Sequence, residues 1–173
     1  MTKSNVTTET IKELRNITGA GILDCKCALQ EVDGDMTKAL EILQKQGFAK
    51  AEKRAQREAR NGLIDVYIHT GGRIGALVEI NCESDFVART EDFKALAHNI
   101  AMQVTATDPR FVNADDIPAE IRADVNPVEV CLLSQPFIRD QQRSIQDIIT
   151  EVIAKTGENI KVRRFARFEL GKG

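Results

Sequence analysis

Two short stretches of β-forming residues, separated by a tight turn, constrain the fold of this chain more than any other feature. Residues 63–69 and 74–80 are rich in Leu, Ile, Val and Tyr, and Thr70-Gly71-Gly72-Arg73 lies between them. A Gly-Gly pair between two such runs is a strong signal for a β-hairpin. The pattern therefore predicts two antiparallel strands joined by this turn.

The segment before the hairpin predicts three short helices. Thr7-Thr8 offers N-cap hydroxyls to the first helix, and Gly19 ends it. Asp35 is the predicted N-cap of the third helix, which ends near Gly47. We expect residues 1–48 to form one small module. Its helical apolar residues are Ile11, Leu14 and Ile17, then Ile22, Cys25, Ala28, Leu29 and Val32, then Met36, Ala39, Leu40 and Leu43.

A basic segment, residues 49–61, separates this module from the hairpin. The run from Lys50 to Arg60 contains good helix formers but no large apolar residue. We expect nothing in it to be buried, so it predicts an exposed helical or frayed linker. Contact with RNA through these basic side chains is the alternative interpretation.

Residues 62–173 predict an α+β core. An amphipathic helix contains Phe93, Leu96, Ala97, Ile100, Ala101 and Val104, and Asp108-Pro109 ends it. Phe111-Val112 suggests a short strand in an otherwise irregular stretch. A second helix contains Ile145, Ile148, Ile149, Val152 and Ile153, and Gly157 closes it. The run 160–170 predicts a half-buried strand with Val162, Ala166, Phe168 and Leu170 on one face. Together these elements predict helices packed on an antiparallel sheet.

Composition narrows the class of protein. The 173 residues include 24 basic and 26 acidic side chains, which gives a formal net charge of -2. Nucleic-acid-binding proteins usually carry a basic excess, so we expect no direct nucleic-acid contact.

The polar residues from Met1 to Thr10 lack the apolar core of a secretory signal, and no run approaches the roughly 20 apolar residues of a membrane span. These features predict a soluble intracellular protein.

The reactive side chains do not predict a metal or cofactor site. The four cysteines are Cys25, Cys27, Cys82 and Cys131, and no C-x-x-C pair or nearby histidine pair accompanies them. A zinc site needs about four closely spaced ligands. We therefore expect small buried or half-buried thiols in a reducing compartment, and no metal or cofactor.

Catalysis is also poorly supported. The residues from His69 to Gly75 lack the phosphate-loop pattern and precede a strand instead of a helix. Neither histidine has a serine or cysteine nucleophile nearby in sequence, and Glu83 and Asp85 share no predicted pocket. The sequence therefore predicts a protein that is not an enzyme.

The segment Asn81-Cys82-Glu83-Ser84-Asp85-Phe86-Val87-Ala88-Arg89 lies between the second strand and the next helix, so it should form a loop or a tight corner. Two interpretations of its aromatic residue stay open on residue types alone. In one, Phe86 packs into the core and Asp85 caps the following helix. In the other, Phe86 is an exposed anchor that fills a partner's pocket.

Three signatures, in this order, resemble the elongation factor Ts family over essentially the whole chain. The first consists of Lys12-Glu13-Leu14-Arg15, Thr18-Gly19-Ala20-Gly21 and Asp24-Cys25-Lys26. The second is the segment 81–88, where the family usually has Asn-Cys-Glu-Thr-Asp-Phe-Val-Ala. The third is Gly157-Glu158-Asn159-Ile160 followed by Arg163-Arg164-Phe165.

The resemblance implies a guanine-nucleotide exchange factor that acts on elongation factor Tu in its GDP-bound and nucleotide-free forms. It implies a ubiquitin-associated-like (UBA-like) three-helix module, followed by a core like the family's dimerisation domain. We further expect a homodimer or a two-to-two complex with the partner. We expect the protein in a bacterial cytoplasm more than in an organelle. A UBA-type binding module with a merely structural second domain is a rival interpretation.

The resemblance also implies which residues bind the partner. The Asp85-Phe86 pair would enter the GTPase domain and disturb its Mg²⁺ site, with Ser84 and Val87 beside it. In the first module the matching surface positions are Lys12, Arg15, Ile22 and Leu23, and for the last two a place in the module core is the alternative. Asn81, Cys82 and Glu83 would form the scaffold that presents the pair.

This chain departs from the family pattern in three places. Ser84 replaces a threonine but keeps its hydroxyl, and Cys27 replaces a basic residue that is common in the family. Many relatives carry a long helical insertion in the C-terminal half, where this chain has only a short, proline-interrupted connection from Ile121 to Cys131. Any contact or dimer interface that the insertion supplies in those relatives cannot be carried over to this chain.

Overall fold

The computed structural model describes residues 6–172. The chain divides into two compact units. The first unit contains residues up to Gln56 together with Thr150–Glu158, and the second contains Arg57–Ile149 and the residues from Asn159 onward.

Three helices form the N-terminal part of the first unit, as predicted: α1 (Thr8–Thr18), α2 (Ile22–Glu31) and α3 (Met36–Arg54). The Thr7 hydroxyl accepts a hydrogen bond from the Thr10 N–H at the start of α1. Gly19 ends α1 in the left-handed conformation, φ 67°, and its N–H donates to the Arg15 carbonyl. The Asp35 carboxylate accepts from the N–H groups of Thr37 and Lys38 and caps α3.

The core of the first unit contains Leu14, Cys25, Ala28, Leu29, Ala39 and Leu43. The prediction that α3 ends near Gly47 is wrong, since α3 continues to Arg54. The expectation that nothing in the basic segment is buried is also wrong, because Ala51 is only 9% exposed. The small methyl group of an alanine can be buried in a segment that has no large apolar residue, so composition alone did not reveal this burial.

The second unit contains a three-stranded antiparallel sheet in the order β1-β2-β5. Its elements in chain order are β1 (Asn61–Ile68), β2 (Ile74–Cys82), the short helix α4 (Asp85–Ala88), α5 (Glu91–Thr107), α6 (Pro127–Val130), β3 (Pro136–Phe137), β4 (Asp140–Ser144), α7 (Ile145–Thr156) and β5 (Lys161–Glu169). From Thr150 onward the residues of α7 belong to the first unit. The predicted hairpin is confirmed, and Gly71 and Gly72 both have positive φ in its turn.

One face of this sheet packs against α5, and the other is exposed. Ala76, Val78 and Ile80 of β2 are buried, and α5 packs against β1 and β2. At the end of α5, Asp108 takes a left-handed conformation, φ 50°, and ends the helix where the sequence predicted. These elements confirm the α+β class, while the likeness of the first unit to a UBA domain stays a prediction.

The predicted face of β5 is wrong beyond Val162. Glu79 pairs with Arg164 but Ile80 pairs with Val162, so Arg163 is an extra residue in β5. Such a bulge exchanges the two faces of a strand, because side chains alternate with a period of two. Val162 is buried, whereas Phe168 is 65% exposed and Leu170 is 66% exposed.

The stretch between α5 and β3 is irregular, as expected. Phe111 forms a single parallel bridge with Cys131 in place of the predicted short strand. The buried Gln103 side chain holds the following segment: its Nε2 donates to Gln135 Oε1 at 3.1 Å, and its Oε1 accepts from the Ile138 N–H at 2.9 Å. A buried amide with these partners fixes the path of a loop that has little regular structure.

Candidate functional site

The corner between β2 and α5 presents one large apolar side chain to solvent. Phe86 lies in the single turn of α4 and is 77% exposed. The interpretation in which Phe86 packs into the core is therefore wrong. Single exposed apolar residues are common on protein surfaces. This one is distinctive because the backbone on both sides of it is anchored.

Hydrogen bonds on each side of Phe86 shape this corner, which we call the Phe86 turn (residues 84–89). The Ser84 hydroxyl accepts from the Val87 N–H at 3.3 Å and caps α4. The Cys82 thiol donates to the Ser84 carbonyl at 3.0 Å. The Thr90 hydroxyl accepts from the Phe93 N–H and caps α5. The cap expected from Asp85 is thus supplied by Ser84 and Thr90.

The carboxylate beside Phe86 is also exposed. Asp85 Oδ2 lies 2.7 Å from Arg89 Nη2, in an i,i+4 pair with both side chains largely in solvent. Such exposed pairs contribute little to stability. Asp85 and Phe86 therefore form an exposed acidic and aromatic tip that contributes little to the stability of the fold.

The other two predicted residues of this segment face the chain itself. Val87 is 4% exposed, and Ser84 is half-buried with its hydroxyl used in the cap. The structure therefore brings the four predicted residues together in one turn, and of these four Asp85 and Phe86 have exposed side chains.

The first unit has its own exposed apolar group near the turn between α1 and α2. Leu23 is 75% exposed and Ile22 is 54% exposed, so the alternative that places them in the module core is wrong. Ile17, at the end of α1, is 58% exposed and was not predicted as a surface residue. Lys12 and Arg15 on α1 are exposed as well.

The described part of the chain offers little to reactive chemistry. Within residues 6–172, no group of three or more His, Cys, Asp and Glu side chains could hold a metal ion. Burial raises the pKa of the Cys25 thiol and of the Cys131 thiol, which disfavours the reactive thiolate. No helix among these residues is long and apolar enough to cross a membrane.

Comparison with known proteins gives consistent matches. A family model described as "Elongation factor TS" matches residues 5–129. Several curated proteins called Elongation factor Ts are similar to nearly the whole chain. The protein of Carboxydothermus hydrogenoformans is 49% identical over 97% of this chain and 90% of its own length. That of Moorella thermoacetica is 49% identical over 94% of each, and that of Thermotoga petrophila is 49% identical over 97% of this chain and 98% of its own length.

Proposed function

This chain belongs to the elongation factor Ts family, and we propose on that premise that it exchanges GDP for GTP on elongation factor Tu during translation elongation. The supporting observation is the Phe86 turn, which contains residues 84–88 of the family's second signature and presents an aromatic side chain that is 77% exposed. This activity makes and breaks no covalent bond, so the protein is not an enzyme in the usual sense.

The mechanism that we propose is one of linked equilibria. GDP and Mg²⁺ hold the switch region of a GTPase together. A partner that binds the nucleotide-free arrangement more tightly must weaken GDP binding by the same factor, because the coupling between two ligands is reciprocal. Release of GDP then leaves a site that GTP can fill.

In this mechanism the Phe86 turn enters the GTPase domain near its Mg²⁺ and phosphate site. Phe86 buries its ring as a wedge, and burial of one aromatic anchor at the centre of an interface commonly dominates binding. Asp85 orients the wedge through polar contacts with the partner, and in the free protein its carboxylate lies 2.7 Å from Arg89. Ser84 and Val87 support the turn from within.

The first unit grips the outside of the same GTPase domain in our proposal. Lys12 and Arg15 supply exposed positive charge, and Ile22 and Leu23 supply an exposed apolar contact. We add Ile17, which is 58% exposed beside the same turn. We assign residues 1–48 to this gripping module, 49–61 to a linker that starts within α3, and 62–173 to the core that carries the Phe86 turn.

The cell compartment follows from the proposed activity. The relatives reported above come from bacteria, and elongation takes place in the bacterial cytoplasm, where we place this protein. The net charge of -2 supports a protein partner over a nucleic acid.

The linkage is tested by the affinity of this chain for its cognate elongation factor Tu. We expect titration calorimetry to give a dissociation constant for the nucleotide-free GTPase at least about 100-fold lower than for the GDP-bound form, a coupling of roughly 3 kcal/mol. Added GDP should dissociate the complex, because by reciprocity GDP weakens the binding of this chain to the GTPase by the same factor. Equal affinities for the two forms would rule out exchange by linkage.

We also propose that the chain forms a homodimer, and with its partner a two-to-two complex, through the exposed face of its three-stranded sheet. The paired positions Val66, Leu77 and Ala166 form one exposed row, and Ile68, Gly75 and Phe168 form the next. The third row, Ile64, Glu79 and Arg164, contains both signs of charge, with Arg164 Nε 2.7 Å from Glu79 Oε2. A two-fold axis can therefore bring apolar rows together while each acidic group lies near a basic one.

The area of this sheet face sets the expected affinity. Strands about 4.8 Å apart that rise about 3.3 Å per residue give a face of roughly 350 Å², about half of the ~800 Å² that each partner buries in a standard interface. We therefore expect a weak dimer, with a dissociation constant on the order of micromolar.

Sedimentation equilibrium tests the dimer. We expect the average mass to rise with concentration toward twice the 19.2 kDa of one chain, and the Val66→Lys variant to remain monomeric because its charge interrupts the apolar row. Val128→Lys is the matched control, since Val128 is 48% exposed on α6 and lies outside the sheet. A monomeric wild type at about 100 μM, or equal effects of both variants, would contradict this interface.

A further inference from the structure

We propose that Asn159, together with Glu83 and Arg57, is a positioning device for the Phe86 turn; this inference rests on the proposed exchange function. These three residues, which we call the Asn159 clasp, come from three separate segments of the second unit. Arg57 lies before β1, Glu83 precedes the Ser84 cap of α4, and Asn159 lies in the segment that leads into β5. None of them needs to contact the partner for the clasp to act.

The carboxylate of Glu83 is one half of the clasp. Its Oε1 accepts from the Asn159 backbone N–H at 2.6 Å and lies 3.5 Å from Arg57 Nη1. Hydrogen bonds to a carboxylate are shorter and stronger than bonds between neutral groups. This contact ties the residue just before the Ser84 cap to a backbone position that is 76 residues later in the chain.

The side chain of Asn159 is the other half. Asn159 is 2% exposed, and its Nδ2 donates to the Arg57 carbonyl at 2.7 Å. A buried amide must keep its hydrogen-bond partners, because leaving one unsatisfied costs about 1–3 kcal/mol. The position of Arg57 relative to the turn into β5 is therefore fixed, and Arg57 in turn lies beside the Glu83 carboxylate.

The backbone of Glu83 is held from a third side. Its carbonyl accepts from Asn61 Nδ2 at 2.7 Å, and Asn81 Nδ2 donates to the Asn61 carbonyl at 3.2 Å. Gly62 lets the strands approach here, because a Cβ at this position would collide with the Ile80 carbonyl. Glu83 is thus fixed at both its side chain and its backbone, directly next to the turn that presents Phe86.

A short helix makes this support necessary. The four residues of α4 are far too few to form a stable helix alone, since isolated helices shorter than about 12–15 residues are marginal in water. A wedge that is displaced by about 1 Å loses much of its effect, and a fixed wedge avoids the entropy of ordering on binding. The clasp therefore acts on the exchange rate through the position of Phe86.

The first test measures GDP release from elongation factor Tu as a function of the concentration of full-length variants. For Glu83→Ala we expect the limiting rate to fall on the order of tenfold, while the half-saturating concentration changes less than about threefold, because the first unit still binds. Glu83→Gln keeps an oxygen acceptor and should retain at least about half of the wild-type rate. Glu120→Ala, which removes an exposed carboxylate of the same unit, is the matched control and should behave as wild type.

A double-mutant cycle separates positioning from a general loss of structure. In a Phe86→Ala background the wedge is absent, so adding Glu83→Ala should lower the limiting rate by less than about twofold. A further tenfold loss there, or wild-type release by Glu83→Ala alone, overturns the inference, as does a Glu83→Gln rate as low as that of Glu83→Ala. If Glu83→Ala does not fold in a thermal unfolding assay, Asn159→Ala takes its place in the cycle with the same expected pattern.

The outcomes separate this inference from the proposed function. If the wild-type chain itself does not accelerate GDP release, the proposed function fails. If the wild type is active and Phe86→Ala is slow while Glu83→Ala equals the wild type, only the clasp fails.

Discussion

Replacing Phe86 with alanine should lower the limiting rate of GDP release from elongation factor Tu on the order of 10- to 100-fold and leave this chain as stable as before. The ring is 77% exposed in the free protein, and moving a phenylalanine side chain from water into a partner's pocket contributes about 1.5–3 kcal/mol. Each 1.4 kcal/mol that is lost in the transition state corresponds to about tenfold in rate. Stopped-flow release of a fluorescent GDP analogue at saturating factor measures this change.

The matched control is Phe48→Ala. Phe48 is also an exposed phenylalanine, 41% exposed on α3, and has no part in the proposed wedge. We expect its variant to release GDP at the wild-type rate. Equal rates for Phe86→Ala and the wild type would rule out the wedge, although the family assignment would stand.

The opposite pattern is expected for a phenylalanine seven positions later. Phe93 is 0% exposed in the first turn of α5, and truncation of a buried phenylalanine to alanine typically costs about 3–5 kcal/mol through lost burial and a residual cavity. Phe93→Ala should therefore lower the free energy of unfolding of the second unit by about this amount. Urea denaturation followed by circular dichroism measures this loss. If unfolding stays two-state, the dependence of the free energy of unfolding on urea concentration should be unchanged.

Phe86→Ala provides the comparison, since substitutions of exposed side chains usually change stability by less than about 0.5 kcal/mol. At a low temperature where it is folded, the Phe93→Ala variant should accelerate GDP release as the wild type does, because the Phe93 side chain is buried and is not exposed to a partner. If Phe86→Ala unfolds as easily as Phe93→Ala, the exposed position of Phe86 is incorrect.

Most of the helices and strands could be predicted from the sequence, because their turn and cap residues and their apolar periodicity favour the same structure that the packing stabilises. The turn at Gly71-Gly72, the caps at Thr7 and Asp35 and the ends of α5 and α7 follow from residue types that favour those conformations. The apolar periodicity of α5 also predicted its buried face, with Phe93, Ile100 and Val104 at 0% exposure.

The predictions from sequence were wrong where a single extra residue or one small side chain determined the local structure. The bulge at Arg163 exchanges the faces of β5, and nothing in the apolar alternation of the strand reveals an extra residue. In the continuation of α3 past Gly47, Ala51 is buried, and composition cannot distinguish a buried alanine from an exposed one.

The site was predictable only in part. Residue types alone left Phe86 either buried or exposed, and the family resemblance pointed to Asp85 and Phe86 without their surroundings. The contact of Glu83 with Asn159 joins residues 76 apart, and sequence periodicity carries no information on such a pairing. Ile17 fitted the apolar stripe of α1, so its 58% exposure could be found only from the fold.

The most direct measurement is catalytic release of GDP. Elongation factor Tu loaded with a fluorescent GDP analogue is mixed with unlabelled GTP and with this chain at roughly one-hundredth of the GTPase concentration. We predict that all of the labelled GDP is released, at a rate proportional to the concentration of the chain, because each molecule acts on many GTPases in turn. Release at the spontaneous rate, or of an amount that only equals the chain added, would contradict the function proposed for this protein.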